Sequence, residues 1–156
     1  MTDLHAVEPI EKHLTVRVPQ AFAFEVFTAR MALWWPASTH SVAAGQGAQP
    51  TDIVMEGRLG GRIYEVLPDG GESDWGQVTE WQPPKRVAFT WHPGHPVERA
   101  THVTVQFAAL AEAETEVTLC HDGWDCIADG AAIRPQYVPG WDHVLRECYA
   151  AALITS

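Results

Sequence analysis

A close series of strand-like segments constrains the fold of this chain more than any other feature. Segments rich in β-branched and aromatic residues follow one another at about 52–56, 62–67, 74–81, 86–92, 102–107 and 116–121. The connections between them are short and turn-like, with glycine and proline pairs such as Gly60-Gly61 and Pro83-Pro84. Because short connections join antiparallel neighbours, the pattern predicts an antiparallel meander.

Flanking segments add a first strand and several helices. Ile10–Val18 alternates apolar and polar residues, which predicts a strand, and Ala21–Phe27 and Arg30–Trp35 predict two short helices. Residues 39–50 are small and polar and predict a loop. We expect an irregular segment from 122 to 139, with a short helix near 128–133.

The last predicted element is a long helix from Gly140 towards Ile154. Trp141, Leu145, Cys148 and Ala152 form one apolar stripe along it. One amphipathic helix must then cover one face of one curved sheet. The fold prediction is α+β: a curved antiparallel sheet of about seven strands wrapped around a long C-terminal helix, with two short helices after the first strand. A single domain, 1–156, with a core of about 10–154, is expected.

Composition excludes several classes of protein. The net charge of −10 argues against nucleic-acid partners and anionic membrane surfaces. We find no apolar run of about 20 residues and no signal-peptide pattern at the N-terminus, so we expect a soluble, cytoplasmic protein. The cysteines, Cys120, Cys126 and Cys148, form no C-x-x-C pair and are most simply small apolar residues.

Seven tryptophans in 156 residues are more than a core of this size requires. They are spread over nearly every predicted element, which indicates a core built around a cavity, although a fully packed core is the alternative. Strand parity adds inward-facing partners, because alternate residues share one face of a strand. The candidate ligand-binding residues are Trp34, Trp35, Trp75, Phe89, Trp91, Val105, Phe107, Leu119, His121, Trp141 and Leu145.

Few residues are candidates for chemistry. His121 shares the parity of Leu119 and is the weak catalytic candidate, able to exchange a proton or to be a bonded core histidine. Glu56 and Arg58 form a surface hairpin pair or line the mouth of the cavity. The His92-Pro93-Gly94-His95 turn offers imidazoles but no zinc-ligand spacing, so we expect no metal and no cofactor. The sequence has no Gly-x-Ser-x-Gly elbow either.

The order of elements and several short motifs resemble the START-like, or SRPBCC, superfamily with its helix-grip fold. Within it, the chain is similar to the bacterial proteins that resemble the C-terminal domain of the activator of Hsp90 ATPase. The motifs are Ile10-x-x-x-Leu14-x-Val16-x-Val18-Pro19, Trp34-Trp35, Glu56-Gly57-Arg58-Leu59-Gly60-Gly61, the stretch from Gly76 to Trp91, Thr118-Leu119-x-His121-x-Gly123-Trp124 and Gly140-Trp141-x-x-Val144-Leu145. The resemblance implies a cavity between the sheet and the long helix.

Three functions follow from these observations. We favour a protein, monomeric or homodimeric, that binds a hydrophobic or aromatic small molecule in the cavity. A cyclase-, aromatase- or lyase-like enzyme could use the same cavity by holding a reactive chain in one conformation. The resemblance also implies a co-chaperone or another protein-interaction module with a link to stress responses. We expect no stimulation of Hsp90 ATPase turnover, because the sequence shows no long exposed apolar stripe.

Overall fold

One seven-stranded antiparallel sheet organises the computed structural model, which describes residues 8–127 and 129–155. The strands lie in the order β1-β7-β6-β5-β4-β3-β2. Their bounds are β1 Ile10–Val16, β2 Asp52–Met55, β3 Arg62–Val66, β4 Glu72–Gln82, β5 Arg86–Trp91, β6 Thr101–Ala111 and β7 Glu114–Asp122. β2 to β7 form the predicted meander, and β1 pairs with β7 so that Leu14 lies opposite Val117.

Helices pack against this curled sheet. They are α1 Gln20–Ala29, α2 Met31–Trp34, α3 Val42–Gly45 and α4 Gly130–Asp142, continued by a π-helical segment His143–Tyr149 and by α5 Ala150–Thr155; short 3-10 turns occupy Val97–Arg99 and Trp124–Cys126. The α+β helix-grip prediction is confirmed. None of the helices in the described ranges combines the length and the apolar character needed to cross a bilayer.

The C-terminal helix differs from its prediction in length. It begins at Gly130 rather than Gly140 and runs through Pro135 and Pro139, so residues 130–139 of the segment predicted to be largely irregular are helical. Ala128, where the short predicted helix begins, lies outside the described residues, as do residues 1–7, on which the signal-peptide expectation rests. The predicted loop at 39–50 contains the one-turn helix α3, in which Ser41 Oγ accepts a hydrogen bond from the Ala44 N–H.

The apolar stripe of the long helix also differs. Its buried positions are Trp141, Leu145, Tyr149 and Leu153, with Val144 buried beside them, whereas Cys148 and Ala152 are only half-buried. A spacing of four residues drifts around an α-helix of 3.6 residues per turn, but the wider π-helical turn reduces that drift. Tyr149 is therefore fully buried, and its hydroxyl donates to the Ala23 carbonyl at 2.7 Å.

Polar contacts hold the long helix along the β1 edge of the sheet. Lys12 Nζ donates to Asp142 Oδ2 at 3.0 Å, and the Arg146 guanidinium donates to the His13 carbonyl at 2.7 Å. Arg134 Nε donates to the Glu8 carbonyl at 2.6 Å. These contacts run along the helix from α4 into the π-helical segment and position its inner face over the end of the sheet.

Candidate functional site

A pocket of about 260 Å³ opens where α4 crosses the end of β5. The loop after α2, the turn after β5 and the long helix all contribute to it. Its lining residues are Trp35, His40, Trp91, Pro93, Gln136, Tyr137, Gly140, Trp141 and Val144. The wall is thus mainly aromatic, and its polar groups are few, as in typical small-molecule sites.

Three tryptophans form the largest part of the wall. The ring centroids of Trp35 and Trp91 are 5.5 Å apart, those of Trp91 and Trp141 are 5.9 Å apart, and those of Trp35 and Trp141 are 6.2 Å apart. Trp75, which is fully buried behind them, contacts both Trp35 and Trp91. Each ring is held by the next, so the aromatic surface is preformed.

His121 supports this wall from inside the core. Its Nδ1 lies 2.9 Å from Trp141 Nε1, and its Nε2 lies 2.6 Å from Thr101 Oγ1. An indole N–H can only donate, and the Thr101 hydroxyl donates to the Trp91 carbonyl, so His121 is neutral with its proton on Nε2. Burial, and secondarily the charge of His102, lower its pKa to about 3. With both nitrogens engaged and no exposed surface, His121 positions Trp141.

Glu65 holds the loop that closes the other side of the pocket. Its carboxylate is fully buried and accepts from Trp75 Nε1 at 2.7 Å, from the Val42 N–H at 2.7 Å and from the Ala43 N–H at 3.0 Å. The two backbone bonds tie the first turn of α3 to β3. Sequence reasoning missed Glu65, although its parity with the apolar Ile63 was a signal that it faces inward.

His40 is a further polar residue that sequence reasoning missed, as it missed Gln136 and Tyr137 on α4. Its ring stacks on His143 with centroids 5.6 Å apart, and its Nδ1 lies 2.7 Å from Thr39 Oγ1. Burial, followed by the charge of His143, lowers the pKa of His40. The carbonyl of His40 accepts from Trp35 Nε1 at 2.6 Å, so the backbone of this residue also orients a pocket tryptophan. No local pattern marked His40, because its role depends on contacts with a distant helix.

The predicted site residues divide into two groups. Trp35, Trp91 and Trp141 line the pocket. The others lie behind it in the core, all of them buried: Trp34, Trp75, Phe89, Val105, Phe107, Leu119, His121 and Leu145. The structure therefore brings the whole set together as one cluster, of which only the tryptophans at its edge reach the open space.

The remaining polar candidates lie away from the pocket lining. Glu56 Oε1 accepts from the Arg62 N–H at 2.9 Å and pairs with Arg58 at 3.3 Å. His92 Nδ1 lies 2.9 Å from the His95 carbonyl, a contact that closes the turn after β5. Within the described ranges, no three His, Cys, Asp or Glu residues are grouped as metal ligands would be.

The comparisons with known proteins agree with this architecture. The sequence profile of the family described as activator of Hsp90 ATPase homolog 1-like protein matches residues 17–151. The chain belongs to this family. Comparison with curated protein sequences gave no match.

Several solved structures are similar to the chain. An anthrahydroquino-γ-pyrone synthase, Txn09, solved as a complex with SUM, is 32% identical over 82% of this chain and 84% of its own, with a TM-score of 0.57. An Hsp90 activator from Plasmodium falciparum, PFC0360w, is 21% identical over 90% and 92%, with a TM-score of 0.59. DynU16, from the dynemicin biosynthetic locus, is 18% identical over 96% of this chain but 48% of its own, with a TM-score of 0.64. The last two likenesses concern the fold alone.

Proposed function

We propose that this family member binds a flat, hydrophobic or aromatic small molecule in the pocket between the sheet and the C-terminal helix. The observation that carries the proposal is the wall formed by Trp35, Trp91 and Trp141, which exposes aromatic faces and edges to one space. Planar rings pack well against such surfaces in stacked or edge-to-face geometry.

The size of the pocket limits the ligand. An apolar cavity of about 150 Å³ holds benzene, so the pocket of about 260 Å³ suits a ligand with about two or three fused rings. A larger ligand would extend past Gln136, which is exposed on α4 at the edge of the pocket.

Substitution of Gly140, which lines the pocket from the long helix, tests the proposed binding site directly. Gly140 lines the pocket, and no atom lies within 4 Å of the position that a Cβ would take there. We expect Gly140→Leu to fill the space without a clash, while the matched control Gly140→Ala adds only a methyl group. Both substitutions should also favour the helix, since glycine is about 1 kcal/mol less favourable than alanine in a helix interior.

Binding of 2-naphthamide, a neutral two-ring probe, is measured by quenching of tryptophan fluorescence and by calorimetry. We expect saturable binding to the wild type and a Kd for Gly140→Ala within about twofold of the wild-type Kd. For Gly140→Leu we expect a Kd at least about tenfold higher, which corresponds to a loss of about 1.4 kcal/mol in binding free energy. Equal binding by wild type and Gly140→Leu, or no binding by the wild type, would contradict the proposal.

The 32% sequence identity with the γ-pyrone synthase Txn09 favours a second candidate function, a cyclase-like reaction in the same pocket. Two lining side chains could exchange protons, His40 and Tyr137, and burial raises the pKa of Tyr137. A simple probe is 1-(2-hydroxyphenyl)butane-1,3-dione, whose phenol oxygen adds to the distal ketone and which then loses water to give 2-methylchromone. Faster chromone formation with wild type than with Gly140→Leu would support this candidate. Equal rates for wild type, variant and buffer would exclude cyclisation of this probe by the pocket.

A further inference from the structure

Two ring nitrogens of the pocket lining, Trp91 Nε1 and His40 Nε2, make no hydrogen bond to the described residues. The indole N–H groups of Trp35 and Trp141 are bonded to His40 and His121, but that of Trp91 has no partner among residues 8–127 and 129–155. It is not sealed in the core, because every sealed side-chain nitrogen of the described residues is bonded. Nε2 of His40 likewise has no protein partner in these ranges, since its hydrogen bond to Thr39 uses Nδ1.

One side chain of the pocket lining can carry a positive charge. The lining contains no lysine or arginine, so His40 is the lining residue that can become positively charged. From the long helix, His143 faces His40, and His143 itself lies 3.3 Å from Glu147 and 3.6 Å from the Cys148 sulfur. Tyr137 is the remaining titratable group of the lining.

We propose that the pocket selects aromatic ligands that carry an acidic oxygen, such as a phenol, an enol or a carboxylic acid, and that His40 takes up a proton when the anion binds. The Trp91 N–H would donate to the same acidic group or to a neighbouring oxygen. The inference rests on the proposed function, because it names the chemical class of ligand for the same pocket.

The direction of the pH effect follows from the position of His40. Burial and His143 lower its pKa in the free protein, so the ring is largely neutral at pH 7. A bound anion beside Nε2 favours the charged ring and raises this pKa. Binding at a pH between the free and bound values therefore takes up as much as about one proton, and affinity for an anion rises as the pH falls through that window.

The experiment compares two probes of nearly the same shape, 2-naphthoate and the neutral 2-naphthamide. Calorimetry at about pH 6.5, in two buffers with different ionisation enthalpies, gives the number of protons taken up with each probe. The variants are His40→Gln, which keeps a polar side chain without a titratable ring, and the control His13→Gln, which changes an exposed histidine on β1. Thermal melting checks that both variants are folded.

We expect proton uptake with 2-naphthoate, none with 2-naphthamide, and the same result for His13→Gln. In His40→Gln the uptake should disappear and 2-naphthoate should bind about tenfold more weakly, the effect of one pKa unit, while 2-naphthamide changes by less than about twofold. Uptake that persists in His40→Gln would mean that the acid binds in its own neutral form or that another group, such as His143, takes up the proton, and either result would overturn the inference. Binding of 2-naphthamide with no preference for 2-naphthoate and no uptake overturns it too, but leaves the proposed function standing. If neither probe binds, both proposals fail.

Discussion

At the scale of single residues, the polar groups of the core act mainly by holding aromatic rings. His121 uses one nitrogen to orient Trp141 and the other to contact Thr101, which in turn donates to the Trp91 carbonyl. Glu65 binds Trp75 and the start of α3 in the same way. A buried polar group of this kind is stable only while its partners remain, so substitutions there have costs that can be measured.

The first residue-scale prediction concerns His121 and pH. Its pKa of about 3 in the folded protein lies below the ordinary value of 6.5, so the unfolded chain binds the proton more readily below about pH 6.5. The free energy of unfolding should therefore fall on acidification between about pH 6.5 and pH 3, by up to about 1.4 kcal/mol per pH unit from this residue. Urea unfolding at several pH values measures the slope.

The variant His121→Leu separates this effect from other titrations. Its free energy of unfolding at pH 7 should be about 2 kcal/mol lower than that of the wild type, because the Trp141 N–H loses its acceptor. The free energy of unfolding should also vary less steeply with pH. The control His13→Gln, on the exposed face of β1, should keep the wild-type slope. An unchanged slope in His121→Leu would show that another group causes the acid dependence.

At the scale of elements, the first half of the long helix forms although its sequence opposes a helix. Pro135 and Pro139 each lack the N–H that a helix interior requires, and Gly140 follows directly. Packing compensates for them: Trp141 is buried, and Gly130 packs so closely on the Trp124 carbonyl that a Cβ there would overlap it. This helical stretch, which the local pattern predicts to be irregular, forms one side of the pocket.

Replacement of an exposed proline tests this balance. Pro139→Ala restores a backbone donor at a solvent-facing position, and we expect a gain in stability of about 1–3 kcal/mol, because proline is about 3 kcal/mol less favourable than alanine in a helix interior. Hydrogen exchange of the amides around 136–142 should slow at the same time. A loss of stability would mean that the proline ring itself makes a contact that the helix requires.

At the scale of the whole molecule, core and pocket are parts of one aromatic cluster. Trp91 and Trp141 border the open space, whereas Trp75 and Trp124 lie fully inside the protein. The chain has a net charge of −10, and the pocket lining contains no lysine or arginine. Positive charge at the pocket therefore comes from histidine.

The cluster predicts different costs for two similar substitutions. Trp91→Ala should lose about 3 kcal/mol, the low end of the range for a buried aromatic, because one side of the ring already faces open space. Trp75→Ala should lose about 5 kcal/mol or more, since it also removes a donor from the buried Glu65 carboxylate. Only Trp91→Ala should weaken binding of 2-naphthamide directly. Denaturant unfolding and calorimetry measure both effects, and equal losses of stability would show that Trp91 is packed on all sides.

The local periodicities, the turns between strands and the family motifs can all be found in the amino-acid sequence alone. They were sufficient to predict the sheet and the helix-grip architecture, and they included the three pocket tryptophans in a larger set of candidates. These properties depend on residues close together in the chain. Three features could be seen only in the folded molecule. The helix continues through Pro135 and Pro139. Trp91 lines the pocket whereas Trp75 lies behind it, and His40 stacks on His143. Each of them depends on packing between segments distant in sequence, and that packing outweighs local preference.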